Sequence, residues 1–330
     1  MFIITQYPLA VVVCFLTMLC WGSWANTQKL ATQSVPTTIF YRDYTYGILL
    51  ISVLLAFTLG STGSVGRSFL TDLKQADTQN VLYALIGGFV FNIANILIVV
   101  GIELAGLSVA MPVGIGLALI LGVIVNYILS PVGNIGLLAS GVFSIFLSVV
   151  FSALAYRAKG STDQTVSTRG LIISLVGGFL MSFFFYFVAK SMAADFANPD
   201  AGLLTPYTAL VLFALGVVVS TPLFIPILRR FAGKPADGEI TYSDVSGRSH
   251  RIGMLGGMVW CLGMASSLLA SGAAGYAISY GLGQGATIIA VLWGVFIWQE
   301  FRGAPSTSTR YLILMGLCYV LGLVLIITAK

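Results

Sequence analysis

Long apolar runs separated by short polar breaks dominate the pattern along this 330-residue chain. Ten runs of helical length lie at about 8–28, 44–62, 81–103, 108–129, 133–155, 170–190, 205–228, 252–274, 277–298 and 309–329. A helix of about 20 apolar residues crosses the hydrocarbon core of a bilayer. The strands of a membrane barrel would alternate apolar and polar over about 10 residues. These runs are continuous, so the pattern predicts helices, which satisfy their backbone groups internally. The breaks carry Gly, Pro, Ser and charge, at Ser61 to Gly66, Pro131 to Gly133, Gly160 to Ser167 and Gly233 to Gly247. The longest connection, 229–251, has no room for a soluble domain. The opening MFIITQYPLA holds no Lys or Arg, so the first run reads as a span and not as a cleaved signal, which begins basic.

Composition agrees. Hydrophobic residues make up 58% of the chain and charged residues 8%, against about 25% charged in soluble domains. The net charge of +5 could call for an anionic partner, but its distribution gives another account. Twelve of the sixteen Lys and Arg residues fall in the odd-numbered connections, and four (Arg67, Lys74, Lys190, Lys330) in the even ones and the tails. Short cytoplasmic loops carry such an excess. The expectation is a multi-pass protein of the inner or plasma membrane, with both termini outside and loop 229–251 cytoplasmic. No nucleic-acid partner is called for. Cys14, Cys20, Cys261 and Cys318 lie inside apolar runs at spacings that fit no metal motif and read as small packing residues; no cofactor is expected.

A shift of 169 positions lays 87–128 on 256–297 without a gap. Gly87, Gly88, Gly106, Gly114 and Gly116 then fall on Gly256, Gly257, Gly275, Gly283 and Gly285. Each copy holds five spans, and an odd number turns the second copy upside down in the bilayer. The predicted fold is therefore all-α and integral to the membrane: ten transmembrane helices as two inverted five-helix repeats, 1–160 and 161–330. Inverted repeats mark secondary transporters, with the site near mid-membrane between the copies. Small residues every four positions, as in Ala110, Gly114, Ala118 and Gly122, let helices approach closely.

The run Gly22-Ser23-Trp24, then Asp43-Tyr44, Gly87-Gly88 with Asn95, Gly106-Leu107-Ser108-Val109 and Asn126-Tyr127 resembles the first half of the ureide permeases. Ala274-Gly275-Tyr276-Ala277, Trp293-Gly294 and Glu300 continue the resemblance through the second half. The wider group is the drug/metabolite transporter superfamily, with its glucose/ribose and rhamnose porters. The resemblance implies ten helices and proton-coupled import of small polar solutes, in the ureide branch allantoin, uracil and oxopurines. One departure stands out. Plant ureide permeases carry a long central loop with a nucleotide-type Gly-Lys-Ser/Thr motif, whereas 156–169 here reads YRAKGSTDQTVSTR, without phosphate-loop spacing.

Polar groups within spans are costly and each asks for a role. Asn92 and Asn95 share one face of the third span, where carboxamides could bind a solute or tie helices together. Trp21 and Trp24 on the first span, and Trp260 on the eighth, could stack on a flat ring, or anchor at the interface. Tyr280, Gln284 and Thr287 form a polar face on the ninth span, and Asn126 lies near the end of the fourth. No carboxylate sits at mid-membrane, so Asp43 and Glu103, at span ends, are the candidates for carrying a coupled proton; Asp43 beside Arg42 could equally be a surface ion pair. His250, the one histidine, reads as a solvated loop residue. Ser–His, His–Glu and paired mid-span carboxylates are missing from the spans, which argues against an enzyme. The expected function is proton-coupled uptake of a sugar or of a ureide- or nucleobase-like solute. An exporter of the same fold and a membrane scaffold are the competing readings.

Overall fold

The computed structural model of the chain describes residues 1–31, 35–105, 107–160, 167–231 and 240–330, apart from the side chains of 103, 107–112 and 231. The first span is α1 (Tyr7–Ser23) continued by α2 (Ala25–Ala31), and the second is α3 (Thr37–Phe57). A short α4 (Phe69–Gln75) precedes the third to eighth spans: α5 (Thr78–Ala105), α6 (Leu107–Leu129), α7 (Ile135–Ala158), α8 (Thr168–Ser191), α9 (Pro206–Phe231) and α10 (Gly247–Ala274). The ninth is broken into α11 (Tyr276–Gly283), α12 (Ala286–Leu292) and a π turn over Trp293–Ile297, and α13 (Ser306–Ile327) is the tenth. Among the described residues nine helices are long and apolar enough to cross a membrane, and Val113–Leu129 within α6 supplies a further apolar stretch. The chain is an all-α multi-pass membrane protein.

Helix ends overrun the apolar runs that predicted them. α3 begins at Thr37, seven residues before the expected 44, behind Pro36, whose ring presets the backbone for a helix start. Arg42 and Asp43 are thereby inside a helix. Apolar content marks where lipid begins, while backbone pairing runs on to the next cap. Neither α4 nor the break in the ninth span was visible in the apolar pattern.

Contacts sort the connections into two ends. At the terminal end, the Met1 amine donates to the Val65 carbonyl and Arg67 to the carbonyls of Pro199, Asp200 and Leu203. There the Asn134 amide also bonds the Ala329 carbonyl, and Gly275, turning at φ +85°, packs on Val132. At the distal end, Asp43 meets His250, Lys29 meets Glu300, Lys159 lies over Phe301 and Gly170 packs on Ala105. By these contacts the described parts of the even-numbered connections and both termini share the first end, and those of the odd-numbered connections share the second.

The bundle is locked where backbones touch. A Cβ placed on Gly88 would lie 2.0 Å from the Phe213 carbonyl oxygen, and one on Gly257 would lie 1.8 Å from that of Tyr44. Gly47 faces the Met254 carbonyl at 2.0 Å and Gly216 that of Leu85 at 2.2 Å. These glycines let α5 cross α9, and α10 cross α3, with no side chain between. The obstacle is backbone oxygen, so a methyl group forces the helices apart. Gly257→Ala is expected to lower stability by about 1–3 kcal/mol, read as a fall in the melting temperature of the purified protein. Gly316→Ala, with nothing within 4 Å, is expected to leave it unchanged.

Candidate functional site

A cavity of about 370 Å³ lies inside the bundle, reaching from mid-depth toward the distal end. Its size falls within the range of small-molecule sites. One face of each of several spans lines it, at helical spacing: Trp21, Trp24, Ala25 and Gln28 from the first, Phe91, Asn95, Ile98, Val99 and Ile102 from the third. Val149, Ser152, Ala153 and Tyr156 come from the fifth. Gln284, Thr287, Ala290 and Val291 follow the break in the ninth, and Trp260 closes the mid-depth side.

The aromatic wall is built as one stack. The rings of Phe91 and Trp260 are 4.3 Å apart, Trp21 lies 5.8 Å from Trp260 and nearly parallel to it, and Phe213 backs Trp260 at 5.8 Å. The Trp21 indole donates to the Trp260 carbonyl at 3.1 Å. Its ring fits against the bare backbones of Gly263 and Gly283, where a Cβ would approach it to 2.6 and 3.0 Å. Such fixed, offset aromatic faces can stack on a flat ligand.

The polar side of the cavity consists of amides and hydroxyls. Asn95 donates to the Tyr41 hydroxyl at 3.2 Å, and that hydroxyl donates to the Asn92 carbonyl oxygen at 2.8 Å. Asn92 spends its amino group on the Val217 carbonyl, Ser220 and Thr221 of α9. Asn92 is thus a fully buried tie between helices, and it fixes Tyr41, which orients Asn95 at the cavity wall. Gln284 sits at the break in the ninth span; its side chain makes no hydrogen bond to a described residue, so both ends of its amide are open to a ligand. Among the described lining residues none is charged.

Six of the residues singled out in the sequence line the cavity: Trp21, Trp24, Asn95, Trp260, Gln284 and Thr287. Asn92, Asn126 and Tyr280 lie away from it. Asn126 donates to the Gly122 carbonyl at 2.7 Å inside its own helix. Tyr280 is fully buried against Gly122 and donates to the Ala118 carbonyl; the break after Gly283 separates its face from that of Gln284 and Thr287. The sequence reading passed over Gln28, Ser152 and Tyr156. The spacing 21, 24, 25, 28 carries the signal for Gln28, as 149, 152, 153, 156 does for the other two.

Two ionic clusters sit at the distal end. Asp43 is 1% exposed, and its carboxylate pairs with His250 Nδ1 at 2.7 Å and accepts from the Tyr242 hydroxyl. This replaces the surface pair with Arg42, which instead lies 5.3 Å from the Tyr242 ring centre. His250 is likewise no solvated loop residue: it occupies the first turn of α10, half-buried against Asp43. Burial pushes the Tyr242 hydroxyl up to about 12, with the Asp43 carboxylate adding to it, so it remains a proton donor at neutral pH. Glu103, the other proton candidate, has its side chain outside the described residues. The second cluster joins Glu300 to Lys29 at 2.7 Å and to the Tyr156 hydroxyl at 3.0 Å.

A multi-pass bundle around a small cavity whose described lining is aromatic rings, amides and hydroxyls has the architecture of a membrane transporter of a small solute. The chain belongs to the ureide permease family, whose model matches residues 40–168 and again 161–329. It is 23% identical to Ureide permease 1 of Arabidopsis thaliana, over all of this chain and 99% of that one. The identity to Ureide permease 4 of the same plant is 27%, over 52% of this chain and 44% of that one. A solved crystal structure superimposes with a TM-score of 0.64 at 13% identity, covering 97% of this chain and 98% of the other, a likeness of fold alone.

The Glu300 carboxyl is subject to opposing effects. Burial pushes its pKa up, but the bonds from Lys29 and Tyr156 and the charges of Lys29 and Lys159 outweigh this and hold it below the usual carboxylate range. A lowered pKa means that the Lys29 contact is fully formed above the ordinary carboxylate value and is lost only as pH falls through the lowered one. Infrared titration, with Glu300→Gln as the assignment, is expected to show protonated Glu300 only below that ordinary range.

Proposed function

We propose that the chain takes up a small, neutral, polar metabolite together with protons, by alternating access between two inverted repeats, 1–160 and 161–330. A ureide- or nucleobase-like heterocycle is the favoured solute and a sugar the second reading. The observation that carries this is the cavity lining. A flat ring can lie against Trp21 and Trp24 at the cavity wall, with Trp260 and Phe91 packed behind Trp21, while its N–H and C=O edges meet the amides of Asn95 and Gln284. A sugar could use the same groups, though its many hydroxyls ask for more partners than this largely apolar wall offers. An exporter of large apolar compounds would leave the carboxamides buried against hydrocarbon.

Reciprocal contacts support the two repeats. Shifted by 169 positions, the contact of Gly88 with Phe213 becomes that of Gly257 with Tyr44, and the contact of Gly47 with Met254 becomes that of Gly216 with Leu85. Phe91 and Trp260 are mates under the same shift and touch each other, as expected beside a pseudo-two-fold axis. The division of connections between the two ends agrees with the excess of Lys and Arg in odd connections. On the positive-inside rule the distal end is cytoplasmic and the termini are outside.

Asp43 is the favoured proton carrier. It is a shielded carboxylate joined to a histidine between the second and eighth spans, and protonation of either partner alters a buried contact between the two repeats. Proteoliposomes under an imposed pH gradient, offered radiolabelled allantoin, uracil, xanthine and a pentose in parallel, test the reading. Accumulation of a heterocycle driven by the gradient is expected; uptake of none of these solutes, with the protein folded, rejects it. Asn95→Ala and Gln284→Ala are each expected to raise KM about tenfold, the worth of one hydrogen bond of about 1.4 kcal/mol. Asn92→Ala is expected to lower the melting temperature instead. Asp43→Asn is expected to abolish gradient-driven accumulation while solute exchange continues, and Glu103→Gln, tested in parallel, to leave accumulation intact.

A further inference from the structure

The distal half of the ninth span is fastened to the first by three polar rungs. The Trp293 indole donates to Ser23 Oγ at 2.9 Å, the Trp298 indole to Asn26 Oδ1 at 2.6 Å, and Lys29 Nζ to Glu300 at 2.7 Å while lying 4.2 Å from the Trp298 ring centre. Both spans depart locally from α geometry beside these groups, the first at Trp24 and the ninth over Trp293–Ile297. On the first span the Thr27 amide bonds the Trp24 carbonyl, three residues back. That one tighter step, at the junction of α1 and α2, turns Ser23 toward the side on which Asn26 and Lys29 stand three apart in α2. On the ninth the Trp298 amide bonds the Trp293 carbonyl, five back, so the π turn stacks the two indoles on one side. Gln299 then takes φ +50°, rare for a side-chain-bearing residue, and returns Glu300 to the same side, its amide on the Gly294 carbonyl. Local strain of this kind persists where the arrangement has a use.

These rungs differ from the rest of the span. Residues 276–283 are all buried, and a side-chain hydroxyl, that of Tyr280, ties them to the fourth span. The rungs are polar and partly exposed, with 44% of Lys29 and 26% of Glu300 accessible. Hydrogen bonds of this type exchange for water at small net cost. Between the two parts, regular helix stops at Gly283 and resumes at Ala286. One member of the cluster also belongs to the cavity: Tyr156 lines it and donates to Glu300 Oε2.

Building on the transport reading above, we propose that Glu300 is a positioning residue of the transport cycle: it latches residues 286–300 shut against Lys29 of the first span and Tyr156 of the fifth. Opening of this segment about Gln284 and Gly285 admits water and solute from the distal end. Tyr156 links the latch to cavity occupancy, because a solute that takes its hydroxyl removes a bond that holds the Glu300 carboxylate.

Cysteine accessibility tests this without any solute. Ser152→Cys places a thiol in the cavity, and a membrane-impermeant thiol reagent is applied from the distal side of oriented proteoliposomes, with the unsubstituted protein as background for the native cysteines. Glu300→Gln is expected to raise the labelling rate at least several-fold at an unchanged melting temperature, with Glu300→Asp restoring most of the parent rate. Lys29→Cys with Glu300→Cys, joined by a cleavable cross-linker before labelling, is expected to suppress labelling until the linker is cut. An unchanged rate in folded Glu300→Gln, or undiminished labelling of the cross-linked protein, overturns the latch. Failure of every solute in uptake assays would reject the substrate reading while leaving this result standing.

Discussion

The arrangement of the molecule depends on two places where helix backbones meet with no side chain between them, Gly88 under the Phe213 carbonyl and Gly257 under that of Tyr44. In a bilayer, burying apolar surface against lipid or against protein gains nearly the same free energy, so helices are held by close packing and by polar ties. The glycine crossings supply the close packing. They bring α5 against α9 and α10 against α3, and they set the distance at which the remaining groups can meet. Phe91 reaches Trp260, and Asn92 reaches Ser220 and Thr221, because the helix axes are this near.

Within that frame, three residues of helix separate a structural amide from a cavity amide. Asn92 uses both ends of its side chain on Tyr41 and α9 and is closed to a ligand, whereas Asn95 gives its amino group to Tyr41 and lines the cavity. The pair therefore works as holder and held. The aromatic wall divides in the same way: Trp260 is packed on two sides by Phe91 and Phe213, while Trp21 and Trp24 face the space from the first span.

The class of fold was legible because lipid imposes a simple rule on composition: every span must be long, apolar and helical. The expected orientation rests on Lys and Arg, which track connections and not packing. What sequence could not reveal were the departures from regular helix. The polar face of Tyr280, Gln284 and Thr287 assumed an unbroken helix, and the break at Gln284 put Tyr280 elsewhere. Asp43 read as a partner of its neighbour Arg42 because sequence shows neighbours only. Its real partner, His250, lies 207 residues away and is delivered by the α3–α10 crossing. The ionic clusters at the distal end were hidden for the same reason, since Lys29, Tyr156 and Glu300 are remote in the chain and meet only at the end of the bundle.

The unequal construction of the ninth span bears on how such a bundle could move. Its first eight residues are sealed by neighbours on every side, so displacing them would expose apolar packing and the buried Tyr280 hydroxyl together. Past Gly285 the span holds to the first through hydrogen bonds and one ion pair whose partners water can replace. A conformational change follows the route along which the least packing is lost. The polar ladder and the break at Gln284 therefore confine motion to the distal segment and leave the aromatic wall in place. A solute bound at Gln284 would then touch both the fixed half of the span and the half that moves, which is where binding energy must act if occupancy is to shift one conformation toward another.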